Sequence, residues 1–492
     1  MFKDGTEGEA HEYDNVPAYK KDGIIYKVKL QCADSWSLRC DSGVSVTNAS
    51  GQPFTEEERD GTIFPILYVH VETNLSKGSQ PKNIYVISAF DGEEKAIKIT
   101  QDAFVFDVDT KNIPTGNIAY NSQDTYTVDV ESTAEAEWEV QKLDDSNWVV
   151  HTPASYTGNK TGLEFKVSQN GNTGSARQAK FVVYNKISGE SLPFTFTQEA
   201  YVWNVTASYS YPFNEINANN SAYSFKVKCS DEWKITGVPD WLSVSPTGDV
   251  AGLDEKTVTI EPDSDNLSLD TDRTATLVID GSFAGVNHKK QIIVTQQHFV
   301  FDITGDVGTI NLPDNKSTAK TIKIKSSDSW IANTNNSNVV TVSPANGTAS
   351  RATGQDCTLS IKTNYTADPR SAEVTVQAKN YSDFKKTVTI DQPAYQFKVD
   401  NAEQAIAPAG VENQAVSVTC SGTWDVKSDS EWLTVKKGSG EFTFTVTSNK
   451  TDGKNDTQER TGTITVFTTD ESKNHFAPVT ITVKQEGEKA SK

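Results

Sequence analysis

The sequence predicts an all-β protein of five tandem immunoglobulin-like β-sandwich domains in an extended rod. An eleven-residue phrase recurs at 99–109, 196–206, 294–304 and 390–400. The Gln of each phrase, with a last Gln near the C-terminus, recurs at spacings of 97, 98, 96 and 93 residues, and the first Trp of each repeat at 102, 95, 97 and 94. Two independent markers thus share one period, which indicates a five-fold internal repeat. A period near 95 residues is the size of one small β-sandwich.

Each repeat is predicted to contain the same strands in the same order. An alternating strand such as Phe299, Phe301 and Ile303 opens it, and a second strand leads to an acidic turn and the first Trp. A hydrophobic doublet such as Trp241-Leu242 follows, then a third strand, an Asn/Asp-rich loop ending in Arg, and two last strands such as "TATLVID" and "KQIIVTQ". Period-two alternation of Val, Ile, Thr and aromatic residues predicts β-strands. Helix is nearly absent, and only 54–61 predicts one or two helical turns.

The repeated phrase is predicted to mark the joints between domains. The last strand of one domain ends at the Gln and the next domain begins two or three residues later, without a Gly/Ser-rich or Pro-rich linker that would act as a hinge. The predicted domains are 1–102, which is divergent, 103–198, 199–297, 298–393 and 394–487, followed by a tail at 488–492. At about 3.3 Å per strand residue, a semi-rigid string of five would span on the order of 200 Å.

Charge and hydropathy exclude several classes of partner. Lys and Arg total 46 and Asp and Glu total 66, which gives a formal charge of −20. An acidic surface argues against nucleic acid and anionic lipid as partners. No apolar run approaches the roughly 20 residues of a membrane span, so direct membrane insertion is not expected. The first residues resemble no secretory signal, which leaves two readings: an unexported chain that starts at Met1, or an exported one whose signal was removed.

The five cysteines are an odd number and cannot all pair within the chain. Three of them lie four residues before the first Trp of their repeats, where the other two repeats have Ala134 and Ser326; they are Cys32, Cys229 and Cys420. A position that accepts Cys, Ala or Ser is most simply a small buried site. A pair between Cys32 and Cys40 across a hairpin is the alternative.

The order of these markers resembles the BACON domain (Bacteroidetes-associated carbohydrate-binding often N-terminal). The markers of the third repeat, which matches best, are Trp233, Trp241-Leu242, "VSPTG", Asn266, Arg273 and "IIVTQ". The fifth repeat is close, with Trp424, Trp432-Leu433, Asn449 and Arg460, and the second and fourth are recognisable. The first keeps Trp36, Asn74 and "IKITQ" but lacks the second Trp and the Arg. The resemblance covers nearly the whole chain. It implies an immunoglobulin-like sandwich without catalysis, a role in carbohydrate binding or as a spacer, and an origin in gut Bacteroidetes or their phages.

Two groups of aromatic residues are candidate ligand-binding sites. Paired Trp residues would stack on sugars, but the second Trp is Val339 in the fourth repeat, and a site that swaps Trp for Val indicates core packing. The stretch 208–223 places Tyr209, Tyr211 and Phe213 alternately in a polar segment. These three are the best candidate for a binding patch, and the alternative is an edge strand whose rings cover a neighbouring domain.

The loop 262–273 carries four carboxylates, Asp263, Asp265, Asp270 and Asp272. Alternating carboxylates are ligands for Ca²⁺, although this loop lacks the Gly and the terminal Glu of an EF-hand. Asp-rich turns also occur simply as turns, and the same two readings apply to 449–460. Apart from this candidate Ca²⁺, no cofactor is expected.

The chain is not expected to be an enzyme. Its six His residues occupy non-equivalent positions in the repeats, and no catalytic motif is present. The first function predicted is a virion surface or appendage protein of a Bacteroidetes-infecting phage, docked through residues 1–102, with weak multivalent adhesion to glycans, mucin or a host surface. The alternative is a glycan-binding or spacer protein at the cell surface of a Gram-negative gut bacterium, without its export signal. A pure spacer with no ligand is the third.

Overall fold

The structure is a computed structural model that describes residues 2–3, 12–400, 402–450 and 457–489. These residues form ten β-sheets, two to each repeat. Helix is limited there to three 3-10 turns, Glu57–Arg59, Asn217–Asn219 and Glu471–Asn474. The first of them lies in the segment for which helical turns were predicted. The prediction of an all-β chain of tandem immunoglobulin-like sandwiches is confirmed.

Domain 4 shows the strand order that the repeats share. One sheet contains, in spatial order, Phe301–Gly305, Thr318–Ser326, Ser350–Ile361 and Val340–Ser343. The facing sheet contains Thr309–Asn311, Lys385–Gln392, Arg370–Ala378, Trp330–Thr334 and Asn346–Gly347. All neighbours are antiparallel except the first pair of the second sheet, where the short strand runs parallel to the last strand of the domain. The opening strand and this short strand follow each other along the chain, so the chain crosses from one sheet to the other between them.

The other domains repeat this order. Domain 1 has Phe2–Lys3, Ile24–Leu30, Ile66–Val71 and Val44–Thr47 against Glu12–Val16, Glu94–Gln101, Gln80–Ser88 and Trp36–Cys40. Domain 2 has Phe106–Asp109, Thr125–Ser132, Lys160–Val167 and Val149–Val150 against Ser191–Gln198, Arg177–Asn185, Glu137–Lys142 and Ser155–Thr157. Domain 3 has Trp203–Val205, Tyr223–Cys229, Gly252–Pro262 and Leu242–Ser245 against Ser210–Phe213, Lys289–Gln296, Arg273–Asp280, Trp233–Thr236 and Gly248–Asp249. Domain 5 has Phe397–Val399, Val411–Cys420, Glu441–Val446 and Leu433–Lys437 against Gln404–Ile406, Val479–Gln485, Arg460–Thr468 and Trp424–Ser428.

Alternation along the strands buries one face of each sheet, and the buried faces form five hydrophobic clusters. The first Trp of every repeat lies in its cluster, with no more than 4% of the residue exposed. Two residues cross the predicted boundaries. Ala18 of domain 1 belongs to the cluster of domain 2, and Ile216 of domain 3 belongs to the cluster of domain 4. The half-buried Tyr120 of domain 2 also packs against the cluster of domain 3. The first four domains therefore share core packing with their neighbours as well as a chain connection.

The cysteines are all free thiols. Cys229 is buried, as a small core position requires, and its Sγ lies 2.9 Å from the hydroxyl of Tyr201. Cys420 is half-buried and its Sγ lies 3.2 Å from the hydroxyl of Tyr395. Because Cys32 and Cys40 are both free, the structure contradicts the alternative of a disulfide between them.

Among the described residues no helix is long and apolar enough to cross a membrane.

Candidate functional site

The aromatic stretch predicted as a binding patch is a short strand of domain 3. Ser210–Phe213 pairs in parallel with the last strand of the domain, Lys289–Gln296. This places Tyr211 and Phe213 in the core at 6% and 3% exposure, whereas Tyr209 precedes the strand and is 71% exposed. The prediction that the three form one surface patch is wrong, because the alternation belongs to a strand whose inner face is buried. Only Tyr209 is open to a ligand, and a role in binding stays a prediction for it.

The four carboxylates predicted to bind Ca²⁺ do not converge. Asp270 accepts hydrogen bonds from the hydroxyls of Ser268 and Thr271, which hold the pKa of its carboxyl below the usual value. Asp263 lies exposed at the start of the loop. Within the ranges that the structure describes, no three His, Cys, Asp or Glu side chains are grouped so as to hold a metal. The loop is therefore a capped turn in this structure, which contradicts the metal prediction.

The other two carboxylates of this loop hold domain 3 against domain 4. Asp272 accepts two hydrogen bonds from His298 in the connection, one from its backbone N–H at 2.9 Å and one from its Nδ1 at 2.6 Å. These bonds hold the pKa of the Asp272 carboxyl below its usual value. Asp265 accepts the backbone N–H of Asn217 at 2.7 Å and the hydroxyl of Tyr381, in domain 4, at 2.9 Å.

The stretch after the buried strand of domain 3 completes this joint. The carboxylate of Glu215 is 8% exposed and forms an ion pair of 2.9 Å with Arg351 of domain 4. Arg351 also donates to the side chain of Gln297 at 2.8 Å.

The two sequence stretches that were predicted as ligand sites thus lie together at the contact between domains 3 and 4. The alternative raised for 208–223 was an edge strand whose rings cover a neighbouring domain. In the structure Tyr211 and Phe213 pack in the core of their own domain, and the contact with domain 4 is made by Glu215 and Ile216 instead.

Burial and the hydrogen bond to Asp265 raise the pKa of Tyr381 to about 12, whereas a tyrosine in the unfolded chain ionises near pH 10. The folded state retains this proton when the unfolded state has lost it. The contribution of Tyr381 to stability is therefore fully present below pH 10 and is lost as the pH rises towards 12. We expect the Cζ resonance of Tyr381, assigned by its loss in Tyr381→Phe, to titrate about two pH units above those of exposed tyrosines. Titration near pH 10 would contradict the contact.

The Gln of each repeated phrase is buried at the end of the last strand and hydrogen-bonds neighbouring segments of its domain. All five are at most 1% exposed, and they are Gln101, Gln198, Gln296, Gln392 and Gln485. The side-chain amide of each donates to two or three backbone carbonyls, as Gln392 does to Asn315, Lys316 and Lys362 at 2.9 to 3.2 Å. Buried polar groups are retained where they are hydrogen-bonded. The Gln therefore links three segments at the far end of each sandwich.

The Arg that ends each Asn/Asp loop serves this Gln in three domains. Arg177, Arg370 and Arg460 donate through Nε to the side-chain oxygen of their Gln at 2.8 Å. Their guanidinium groups also donate to nearby carbonyls. In domains 2 and 5 the guanidinium stacks on the second Trp, with centroid distances of 4.7 Å to Trp148 and 4.3 Å to Trp432. The second Trp thus packs on the Arg, which covers one face of its ring. Trp148 is 3% exposed and offers no face to a sugar, whereas Trp432 is half-buried.

The Asn of each loop ties the connection to the domain before it. Its side-chain amide donates to the carbonyl of the residue that follows the Gln; the pairs are Asn74 with Asp102, Asn170 with Glu199, Asn266 with Gln297, Asn364 with Pro393 and Asn449 with Glu486. In the four joints the carbonyl two residues after the Asn then accepts the N–H of a buried aromatic residue, which we call the joint aromatic: Phe104, Tyr201, Phe299 or Tyr395. The residues between the Gln and the joint aromatic are therefore hydrogen-bonded to the preceding domain at both of their ends.

The joint aromatic belongs to the following domain although its N–H is bonded to the preceding one. Phe104, Tyr201 and Phe299 are members of the clusters of domains 2, 3 and 4. Tyr395 contacts Phe476 of domain 5, and its hydroxyl donates to Asp470 at 2.9 Å. One residue thus fixes the position of two domains, and this was not predicted from the sequence. The signal was present, since an aromatic residue follows the Gln by three positions at every joint.

Domain 1 satisfies its Gln differently. Gln80 stands opposite Gln101 where the other domains have Arg. Lys82, two residues along the same strand, donates to the side-chain oxygen of Gln101 at 2.8 Å and to the carbonyl of Gly43 at 3.2 Å. Burial of this amine lowers its pKa below the usual value. The divergent repeat therefore keeps a hydrogen bond from a cationic side chain to its buried Gln, but the donor is Lys instead of Arg.

Comparisons with known families match the last two domains. The family described as "Viral BACON domain" matches residues 396–484, and BACON, described as "Putative binding domain, N-terminal", matches 321–393. No characterised protein sequence matches the chain at a significant level.

The chain is similar to several solved structures at low identity. The I9–I11 tandem from titin is 12% identical over 58% of this chain and 98% of that one, with a TM-score of 0.30. Cadherin domains 1–4 of protocadherin gamma B7 are 8% identical over 71% and 91%, with a TM-score of 0.27. A Bacteroides ovatus GH5 xyloglucanase in complex with a XXXG heptasaccharide is 19% identical over 23% of each chain, with a TM-score of 0.17. At these scores the matches bear on neither function nor domain arrangement.

Proposed function

We propose that this BACON-domain protein is a non-catalytic surface component of a phage virion that projects a stiff series of sandwiches and touches host or mucin glycans weakly at several points. The match of its last domain to a viral BACON family supports the virion setting. The match of the fourth domain to a family of binding domains supports contact with a ligand. The first domain is the docking end in this proposal, because it departs most from the repeat.

The observation that carries the proposal is the regularity of the four joints. Each one combines an Asn amide on the connection, a backbone hydrogen bond to the joint aromatic and core packing of that aromatic in the next domain. Flexible linkers would not need any of these contacts. A chain that restrains every joint by the same means is suited to holding its far end at a distance from its base.

Restrained joints also favour multivalent binding. Once one domain touches a surface, stiff joints hold the others near it, so that their effective concentration is high and individually weak contacts add. Exposed Tyr209 of domain 3 is the aromatic side chain that the sequence analysis and the structure together leave available for stacking on a sugar. We propose no catalytic role for any residue, since the polar groups described above serve caps and joints.

Glycan arrays test the adhesive part. We expect the intact chain to be retained on mucin O-glycans or on a plant or bacterial polysaccharide, and Tyr209→Ala to weaken this retention about tenfold, which corresponds to about 1.4 kcal/mol. The matched control is Leu253→Ala in the same domain, where the side chain is 56% exposed. Equal retention of both variants would remove Tyr209 from the site, and no retention of the intact chain would leave projection as the function.

The virion setting has its own test. Antibodies against the chain should label purified phage particles in electron micrographs. Labelling of the outer surface of uninfected bacterial cells would contradict the proposal and support a cell-surface spacer or glycan-binding protein instead.

A further inference from the structure

In domains 3, 4 and 5, the end of the sandwich that faces the preceding domain is covered by the joint segment. The hairpin between the last two strands points at the preceding domain and carries an aromatic ring that lies against the joint aromatic. The centroid distances are 5.2 Å for Phe283 and Tyr201, 4.5 Å for Phe384 and Phe299, and 5.4 Å for Phe476 and Tyr395. This end of a domain is thus an apolar surface that accepts an extended, aromatic-bearing segment from its neighbour.

Domains 1 and 2 carry an apolar residue at one matching position in this hairpin. In domain 2 the N–H of Lys186 bonds the carbonyl just before the first Trp, and Ile187 follows. In domain 1 the N–H of Ala89 makes the same bond to Ser35, and Phe90 follows. Ile187 is half-buried against a cluster that contains the joint aromatic Phe104. Phe90 is 83% exposed, so the residues that the structure describes leave the equivalent surface of domain 1 uncovered.

Further apolar side chains flank the same segment of domain 1. Ile63 and Phe64 are each 51% exposed and follow Gly61 closely. A Cβ on Gly61 would lie 2.7 Å from the backbone of Asp34, so this loop packs directly on the segment that Ala89 bonds at Ser35. We call Ile63, Phe64 and Phe90 the apolar end of domain 1. Large exposed hydrophobic side chains grouped at one place are typical of an interaction surface.

The loop segments that carry the apolar end also carry exposed carboxylates, which we call the acidic rim. The exposed carboxylates on the adjoining loops are Asp34, Glu56, Glu57, Asp60 and Asp91. Arg59 is the cation within the same 3-10 turn. Two copies of this surface would bring like charges together, which disfavours self-association. Charge complementarity instead favours a partner whose apolar contact is flanked by Lys or Arg.

We propose that the apolar end of domain 1 docks a partner protein through an extended segment that carries an aromatic residue and flanking basic residues. The inference rests on the proposed function in that it assigns the docking end of the rod. In each joint an aromatic ring packs against the last hairpin of the following domain. The partner would place such a ring against the last hairpin of domain 1, and its basic residues would lie opposite the acidic rim.

A peptide derived from this chain is a suitable probe. The joint segment 101–109 has the sequence QDAFVFDVD, and replacing Asp102, Asp107 and Asp109 with Lys gives QKAFVFKVK. The full-length chain should bind the basic peptide in fluorescence polarisation at low salt. We expect Phe90→Ser to weaken binding about tenfold, the native acidic peptide to bind about tenfold more weakly, and added salt to reduce the affinity.

Matched variants and a mass measurement separate the outcomes. Tyr209→Ser, which removes an equally exposed ring from domain 3, should leave peptide binding unchanged. Equal binding by wild type and Phe90→Ser, or no binding by wild type, would overturn the proposal. A dimer in light scattering that Phe90→Ser dissolves would also overturn it and favour a second copy as the occupant. Peptide binding at Phe90 would stand even if antibodies fail to label virions, so failure of the proposed function is distinguishable.

Discussion

Gln392→Met is expected to lower the free energy of unfolding of domain 4 by about 3 kcal/mol. Met retains the length of the side chain but offers no amide. Three backbone carbonyls, those of Asn315, Lys316 and Lys362, would lose a donor, and Arg370 would lose the acceptor of its Nε–H. A buried polar group left without its partner costs about 1–3 kcal/mol. The carbonyls of Asn315 and Lys362 keep a second donor, so the cost arises mainly at the carbonyl of Lys316 and the Nε–H of Arg370.

Hydrogen exchange measured by mass spectrometry reports the loss of stability separately for each domain. Peptides from Arg370–Ala378 should exchange faster in the variant, while peptides from Arg460–Thr468 in domain 5 serve as the internal reference. This measurement avoids a global unfolding curve, which is not two-state for a chain of several domains.

Domain 3 offers the control, because the side chain of its Gln makes two hydrogen bonds fewer, and one of the two is the bond from the Arg. The side-chain oxygen of Gln296 has no hydrogen-bond partner among the described residues. Arg273 instead donates to Ser264 and to the carbonyl of Asp265. Gln296→Met should therefore cost about 1 kcal/mol less than Gln392→Met. Equal losses in the two domains would show that the Arg–Gln bond adds nothing to stability.

The fold class could be predicted because the same sequence pattern recurs five times along the chain. The recurring Gln and the first Trp gave the period, and strand alternation gave the fold class. Chance alternation in one segment is common, but the same order at five positions is not. The role of the Gln itself could not be predicted, since a polar residue at the end of a strand is usually exposed. Its burial depends on carbonyls from segments about 80 residues away, such as that of Asn315 for Gln392.

The binding patch was predicted wrongly because domain 3 was considered alone. In every repeat an apolar residue from the segment that runs parallel to the last strand lies beside the Gln. Val16, Ile118, Phe213 and Ile406 pair with it directly, and Leu312 follows the short strand of domain 4 and bonds the residue before the Gln. Each is no more than 9% exposed. Aligning the repeats on this position would have assigned Phe213 to the core. Its neighbour Tyr211 would have followed, since residues two apart on a strand share a face.

The divergent first repeat shows the limit of pattern matching. Domain 1 lacks the Arg that binds the side-chain oxygen of the Gln in domains 2, 4 and 5. In the structure Lys82 takes this role from two residues along the strand, because residues at i and i+2 lie on one face and a Lys side chain is long enough to reach back. Domains 1, 2, 4 and 5 thus each pair the buried side-chain oxygen of the Gln with a cationic side chain, although in domain 1 both the residue and its position differ.

Phe299→Ala is expected to destabilise domain 4 by about 3–5 kcal/mol and to loosen its joint with domain 3. Phe299 is fully buried, stacks on Phe384 at 4.5 Å and meets Tyr381 edge-on at 5.2 Å. Removing the ring leaves a cavity in the core of domain 4. The backbone bond from Phe299 to Ser268 remains available, but the segment that makes it would have lost its anchor.

Two measurements on Phe299→Ala separate the role of the ring in the core from its role in the joint. Hydrogen exchange in Arg370–Ala378 should report the stability loss, and small-angle X-ray scattering should show a broader distribution of domain separations than wild type. Phe90→Ala is the matched control: it removes the same side chain from an 83% exposed position and should change stability by less than about 0.5 kcal/mol. A destabilised domain 4 with an unchanged scattering profile would mean that backbone hydrogen bonds alone hold the joint. The stiffness proposed for the chain would then not depend on the joint aromatic, and the Asn of each loop, Asn266 at this joint, would be its main determinant.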